Sequence, residues 1–179
     1  MNVYILGIDH EIQLVDNNRP EADKEAFTKL LAELLIQQSV EFIGEETFPE
    51  KASIARTFED VRSIRWAPIE MSVNARRELQ IADEQATRCE PVFKDNMVVG
   101  SRPTRVLSDY IREEYMLWRT LTNAGDAKSI LVLCGFMHSE SLGKLFEREG
   151  HQVTVDSLCK RAWYSHPDCS ERTDAARQD

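Results

Sequence analysis

Short apolar runs in this chain are separated by longer stretches in which apolar residues recur at helical spacing. A strand that is covered on both faces is apolar throughout, so each run predicts a buried strand. Pro68 shortens the third of these strands or places it at a strand end, because proline cannot donate a hydrogen bond to a sheet. The five predicted strands are Val3 to Leu6, Val40 to Ile43, Ile64 to Ile69, Ile130 to Cys134 and Val153 to Val155.

The stretches between the runs predict helices. The clearest one has Glu21 and Asp23 near its start, as helix N-termini prefer, and its apolar stripe is Phe27, Leu30, Leu31, Leu34 and Leu35. A helix is also expected from Ser139, as its N-cap, to Gly150, with Leu142, Leu145 and Phe146 facing the core. The other two helices are predicted over Asn74 to Thr87 and Arg105 to Asn123, whereas Pro91 to Pro103 predicts a loop.

Strands that alternate with helices predict βαβ units. We therefore expect an α/β fold with a mainly parallel sheet flanked by helices, as a single layered domain over residues 1–169. The segment 170–179 lacks large apolar residues and predicts a disordered tail. A hydrophobic content of 42% and a charged content of 30% are ordinary for a globular protein.

The formal net charge of -9 argues against general affinity for nucleic acid or for anionic membranes, because both need surplus Lys and Arg. No apolar run approaches the roughly 20 residues that span a bilayer. The N-terminus has no basic region of the secretory type. We expect a cytoplasmic protein with a small-molecule or peptide substrate, and self-association into a homo-oligomer stays open.

The four cysteines form no CxxC pair and no compact disulfide framework, so reduced thiols are expected. Cys134 ends an apolar run and is predicted to pack in the core. The spacing of Cys159, His166 and Cys169 matches no common zinc knuckle. No phosphate-binding glycine motif occurs, so a nucleotide cofactor is not expected.

Polar residues follow three of the predicted strands, where ligands bind in open parallel sheets. Asp9 and His10 follow the first strand, Glu45 and Glu46 follow the second, and His138 follows Ile130 to Cys134. Both histidines come three residues after a glycine, which lets the chain turn sharply at the strand end. We expect these side chains to meet in one crevice at the carboxyl edge of the sheet.

Two imidazoles and one carboxylate are a reasonable ligand set for a divalent ion such as Zn, Mn or Fe. The helix N-terminus behind His138 should keep that ring neutral. Strand alternation allows only one of Glu45 and Glu46 to face the crevice, and Glu45 is slightly favoured. The alternatives are that the histidines are surface or core residues and that the glutamates begin a solvated loop.

Glu114 is an anomaly on the predicted helix from Arg105. It falls on the stripe of Tyr110, Ile111, Leu117 and Trp118, which should be apolar. A buried carboxylate needs a partner such as Arg112, or it could act as a general acid with a raised pKa. The alternative is a boundary position at which Glu114 reaches water.

Four stretches together resemble the TraB/PrgY, Tiki, ChaN and erythromycin esterase-like superfamily, in motif order and in strand-end placement. They are Gly7-Ile8-Asp9-His10, Glu45-Glu46, Arg112-Glu113-Glu114-Tyr115-Met116 and Gly135-Phe136-Met137-His138. The match covers about residues 3 to 155. One departure is Glu113 after Arg112, where membrane-tethered members more often carry Asp or Asn.

The resemblance implies a metal-dependent peptidase or an esterase with a histidine base, while the ChaN branch implies an iron or haem binder. Our first hypothesis is a hydrolase in which His10, His138 and Glu45 or Glu46 hold a divalent metal. Arg112 would then stabilise an anionic or carbonyl oxygen, and Glu114 would orient or protonate the reacting group. The alternatives are a metal-free histidine-based esterase and a non-catalytic protein that binds metal, haem or a small ligand.

Overall fold

The structure of the protein is a computed structural model. It describes residues 1–16, 18–62, 64–79, 81, 89–94, 97–103, 107–165 and 169. The strands are β1 (Asn2–Ile8), β2 (Phe42–Glu45), β3 (Arg65–Pro68), β4 (Cys89–Lys94), β5 (Met97–Pro103), β6 (Ser129–Gly135) and β7 (Gln152–Ser157). The helices are α1 (Glu21–Gln37), α2 (Thr57–Arg62), α3 (Val73–Glu78), α4 (Leu107–Ala124) and α5 (Phe136–Arg148), followed by a short 3-10 helix at Leu158–Lys160.

Five strands form one parallel sheet in the order β3-β2-β6-β1-β7, which confirms the predicted α/β fold. The chain leaves β1 towards β2 on one side of the sheet and leaves β6 towards β7 on the other. Although β1 and β6 are neighbours, the connection from β1 to β2 passes over β6 and the connection from β6 to β7 passes over β1, on opposite faces of the sheet. Ligands of open parallel α/β sheets bind outside the carboxyl ends of the strands, where β1, β2 and β6 end side by side or one strand apart.

Apolar side chains on the two faces of the sheet form two separate cores. On β1, Leu6 and Ile8 pack with α1, while Val3 and Ile5 pack with α4 and α5 on the opposite face. This alternation explains why the central strands are apolar throughout, since both faces are covered. Cys134 lies in the second core as predicted, and burial raises the pKa of its thiol.

The first predicted helix is confirmed as α1. It begins after Pro20 and buries Phe27 and three leucines of the expected stripe. In α5, Leu142 and Phe146 are buried as expected. The helix begins earlier than predicted, however, because Gly135 is its N-cap. Ser139 therefore lies inside the helix, where its hydroxyl donates to the Phe136 carbonyl.

The predicted apolar stripe of α4 is only partly right, since Leu117 is buried but the other members of the stripe are exposed. Tyr110 and Trp118 are about half exposed, whereas Glu113 and Met116 are fully buried. The helix turns its polar residues towards the sheet because they meet charged partners at the crevice. The sequence pattern could not show those partners, since they come from other elements.

Two other predictions fail at the middle of the chain. The loop expected over Pro91 to Pro103 is instead an antiparallel hairpin of β4 and β5. The helix expected over Asn74 to Thr87 is much shorter, because α3 ends at Glu78. Residues 80 and 82–87 of that prediction lie outside the described residues.

The C-terminal segment folds back beside β1. The Tyr164 hydroxyl donates to Asp9, and Cys159 forms a disulfide with Cys169. The expectation of reduced thiols is therefore wrong for this pair, because the fold brings the two cysteines together. His166 and the predicted tail at 170–179 lie outside the described residues. None of the described helices has the length and apolar character that a membrane-spanning helix requires.

Candidate functional site

The predicted crevice exists at the carboxyl ends of β1, β2 and β6. His10 follows β1 by two residues, Glu46 follows β2 directly, and His138 lies in the first turn of α5. In both imidazoles Nε2 lies near the same oxygen of the Glu46 carboxylate. Arg112 reaches the same carboxylate from α4. The fold therefore brings together four residues that the sequence pattern indicated, His10, Glu46, Arg112 and His138.

Glu46 is the centre of this cluster. Its Oε1 lies 2.8 Å from Arg112 Nη2, 3.5 Å from His10 Nε2 and 3.7 Å from His138 Nε2. Its Oε2 accepts the Gly135 N–H at 2.7 Å. Burial alone would raise the pKa of Glu46, but the two histidines, the guanidinium and the N–H outweigh it and hold the pKa at about 2. Glu46 is therefore a permanent buried anion.

Glu45 lies on the other side of the strand. Its Oε2 accepts hydrogen bonds from Ser53 Oγ at 2.6 Å and from Trp66 Nε1 at 2.7 Å. The preference for Glu45 over Glu46 as the crevice residue is therefore wrong, because Glu45 continues the face of Ile43 under the first core. Burial without a cation raises the pKa of Glu45 to about 7.

His10 is the accessible member of the cluster, with 52% of its side chain exposed. Gln13 Nε2 donates to the Glu46 carbonyl oxygen at 3.1 Å, and this contact fixes the orientation of the carboxamide. The same nitrogen lies 3.3 Å from His10 Nδ1, which must then be the acceptor. In neutral His10 the ring proton is therefore on Nε2, facing Glu46.

The glycine of the second Gly-x-x-His motif makes room for His10. A Cβ atom at Gly135 would lie 2.9 Å from His10 Nε2, closer than carbon and nitrogen normally approach. The imidazole thus lies directly over the β6 end. Glycine is required here by the close approach of a side chain from another strand.

His138 is buried and serves a different role from His10. Its Nδ1 lies 2.8 Å from Glu113 Oε1, and the Ser141 hydroxyl donates to the other oxygen of Glu113. Burial lowers the pKa of His138, but Glu46 and Glu113 raise it by more, so the net pKa is raised. This shift is opposite in direction to the one expected from the helix N-terminus, because the two buried carboxylates favour the protonated ring.

Glu113, not Glu114, is the acidic residue of α4 at the site. Glu114 is half exposed and pairs with Arg148 at 3.1 Å, which is the boundary alternative considered above. Among the described residues, Glu114 makes no contact with the cluster that would support its predicted orienting role. The spacing of Glu113, Met116, Leu117 and Thr120 follows one helical face, and this signal could have identified Glu113.

Arg112 joins Glu46 to a second buried carboxylate, Glu70, which follows β3. Arg76 of α3 pairs with the same Glu70 at 2.8 Å. These groups line a pocket of about 260 Å³ that opens beside His10. Glu70 was not predicted, because it lies in a loop without a motif.

The side chains do not fit a divalent metal centre. Both oxygens of Glu46 are already engaged, one by the Arg112 guanidinium and one by the Gly135 N–H. A permanent cation at 2.8 Å repels a second cation at that carboxylate. Across the described residues, no group of three or more His, Cys, Asp or Glu side chains is placed to hold a metal ion. Metal binding by His10, His138, Glu45 or Glu46 stays a prediction that this geometry does not favour.

Comparisons with known proteins do not assign the chain to a family. No protein-family model matches it, and no curated protein and no solved structure matches it either. The resemblance to the TraB/PrgY, Tiki, ChaN and erythromycin esterase-like superfamily therefore stays a prediction that rests on the motifs in this sequence.

Proposed function

We propose that this protein hydrolyses an ester or amide bond with His10 as general base and without a metal. The observation that carries this proposal is the pairing of a half-exposed imidazole with a buried permanent anion at the floor of a pocket. A carboxylate behind a histidine fixes its tautomer and stabilises the imidazolium that forms when the ring accepts a proton.

The base atom is His10 Nδ1, since the proton of the neutral ring is on Nε2, and the attacking water takes the place of the long 3.3 Å contact that Gln13 Nε2 makes with this atom. Nδ1 takes a proton from a water molecule, and the hydroxide adds to the substrate carbonyl carbon. The tetrahedral adduct then expels the alcohol or amine, which receives the proton back from the imidazolium. A carboxylic acid and an alcohol or amine are the products, and the histidine returns to its neutral form.

The remaining residues position this pair. Arg112 and His138 hold the Glu46 carboxylate by their charge, and Glu113 in turn holds His138. Gln13 fixes the tautomer of His10. Buried charges that are mutually paired in this way keep a site rigid, and loss of one partner leaves another uncompensated.

The test is a panel of nitrophenyl esters and chromogenic peptides, assayed with the parent protein, His10→Gln and the control His151→Gln. His151 lies before β7 at the amino end of the sheet, so this control removes one histidine away from the pocket. We expect His10→Gln to lower kcat by at least about a hundredfold, the usual contribution of a general base. His151→Gln should behave like the parent.

Exhaustive chelation separates this proposal from the metal-dependent hypothesis. Activity should survive treatment with a chelator. If chelation abolished activity and Zn, Mn or Fe restored it, the metal-free mechanism would be rejected. Full activity in His10→Gln would reject His10 as the base under either mechanism.

A further inference from the structure

One wall of the pocket beside His10 carries positive charge that the proposed mechanism does not use. This wall is formed by Phe48, Lys51 and Arg76. Lys51 lies in the turn after β2, where its backbone N–H donates to the Phe48 carbonyl at 3.0 Å. Its side chain is exposed, and no described carboxylate forms an ion pair with it.

Arg76 on the same wall is incompletely paired. Its Nη2 contacts Glu70 at 2.8 Å, and its guanidinium lies over the Phe48 ring with 5.7 Å to the centroid. Its Nε is buried and has no hydrogen-bond partner among the described residues. A buried donor without a partner is uncommon and indicates a place where a ligand or water supplies an acceptor.

The charge balance of the pocket is opposite to that of the chain. Three permanent cations line it, Lys51, Arg76 and Arg112, against two carboxylates, Glu46 and Glu70. The whole chain has 22 Lys and Arg against 31 Asp and Glu. A cationic pocket in an acidic protein attracts anions locally while the rest of the surface repels them.

We infer that the substrate is a small ester or amide that carries a carboxylate or phosphate group, bound by Lys51 and Arg76 while its carbonyl lies at His10. This inference rests on the proposed function for the reacting bond and on the pocket wall for the anion. A pocket of about 260 Å³ is below the usual size of a drug-sized site, so it accommodates a small molecule or the end of a longer one.

The test compares two esters of similar size, 4-nitrophenyl hydrogen succinate, which is anionic, and 4-nitrophenyl butyrate, which is neutral. We expect the parent to favour the anionic ester in kcat/KM by about fivefold, the upper range for one partly exposed ion pair. Lys51→Gln should lower this preference, because Arg76 alone then binds the anion, and Lys51→Glu should lower it further. Lys51 is exposed, so these variants are expected to fold, which near-ultraviolet circular dichroism verifies.

Lys128→Gln is the matched control. It removes the same charge from an exposed lysine at the amino end of β6, so the preference for the anionic ester should persist. Absence of a preference in the parent, or a preference that Lys51→Gln leaves unchanged, overturns the inference.

Direct binding of succinate and of inorganic phosphate, measured by calorimetry, decides the inference if no ester is hydrolysed. Binding to the parent that Lys51→Glu weakens supports an anion site even though the hydrolase proposal has failed. Binding that is absent, or that Lys51→Glu does not weaken, rejects the anion site. The tighter of the two probes identifies the substrate group as carboxylate or phosphate.

Discussion

Glu45 and Glu46 are adjacent and both buried, yet their carboxyl groups titrate in opposite directions. Glu45 contacts only neutral donors, and burial raises its pKa to about 7. Glu46 contacts a guanidinium, two imidazoles and a backbone N–H, and its pKa falls to about 2. Burial alone therefore does not determine ionisation. The charge that each side chain meets on its own face of the strand determines it.

Glu45→Gln tests this difference through stability. Folded Glu45 holds its proton up to about pH 7, while an unfolded glutamate releases it near 4.5, so the parent loses stability as pH rises between these values. The loss is at most about 3 kcal/mol. We therefore expect that, as pH rises over this range, the unfolding free energy of Glu45→Gln in urea increases relative to that of the parent.

Glu33→Gln is the control for that experiment, because Glu33 is exposed on α1. Its difference from the parent should not change across the same pH range. A Glu45→Gln difference that is equally flat would show that Glu45 is already ionised at low pH in the folded protein.

Glu113 and Glu114 allow a second comparison of neighbours. Glu113 contacts His138, whereas Glu114 pairs with Arg148 on the surface. We expect Glu113→Gln to lower the pKa of His138, because one of the two carboxylates that raise it is removed. Glu114→Gln should leave that pKa unchanged. Histidine titration by ¹H–¹⁵N NMR measures both, and equal effects of the two variants would contradict the contact.

At the scale of elements, α4 shows that an apolar stripe predicts the presence of a helix more reliably than it predicts which face of the helix is buried. The sequence places Tyr110 and Trp118 on the inner face, but the structure places Met116 and Glu113 there. Polar side chains at the carboxyl edge of the sheet are buried against opposite charges. A hydrophobic pattern assigns such residues to solvent. The orientation that it predicts for the helix is therefore rotated about the helix axis from the observed one.

The orientation of α4 predicts unequal costs for two substitutions. Met116→Ala removes a fully buried side chain from the second core and should lower the unfolding free energy by about 2–5 kcal/mol. Trp118→Gln replaces a side chain that is 54% exposed and should cost no more than about 1 kcal/mol. Urea unfolding of both variants measures this, and a larger cost at Trp118 would restore the orientation that the sequence predicts.

At the scale of the molecule, the C-terminal segment secures the loop that carries His10. Asp9, one residue before His10, accepts hydrogen bonds from Tyr164 and from Arg19 Nη2. Cys159 and Cys169 close this segment into a loop with a sequence separation of 10. A disulfide stabilises a fold mainly by restricting the unfolded chain.

The double variant Cys159→Ser/Cys169→Ser should therefore lose about 2–3 kcal/mol of unfolding free energy, as expected for a loop of this length. A reducing agent should lower the Tm of the parent and leave the Tm of the double variant unchanged. An equal Tm of parent and variant, with no response to the reductant in either, would show that the segment needs no covalent link.

The sequence by itself determined the α/β fold, the central strands, α1, and the edge of the sheet at which polar residues gather. These features follow from local periodicity and from apolar runs, because buried parallel strands must be apolar on both faces. The paired Gly-x-x-His motifs placed both histidines at that edge. Glu46 was identified only as one of two alternatives.

Only the tertiary structure decided which groups interact. The contacts of Glu46 come from residues separated by 36 to 92 positions, and no local pattern encodes such pairings. The same is true of the choice of Glu46 over Glu45, of Glu113 over Glu114, and of the contribution of Glu70. Charge and burial act through space, so the site became visible only where β1, β2, β6 and α4 converge.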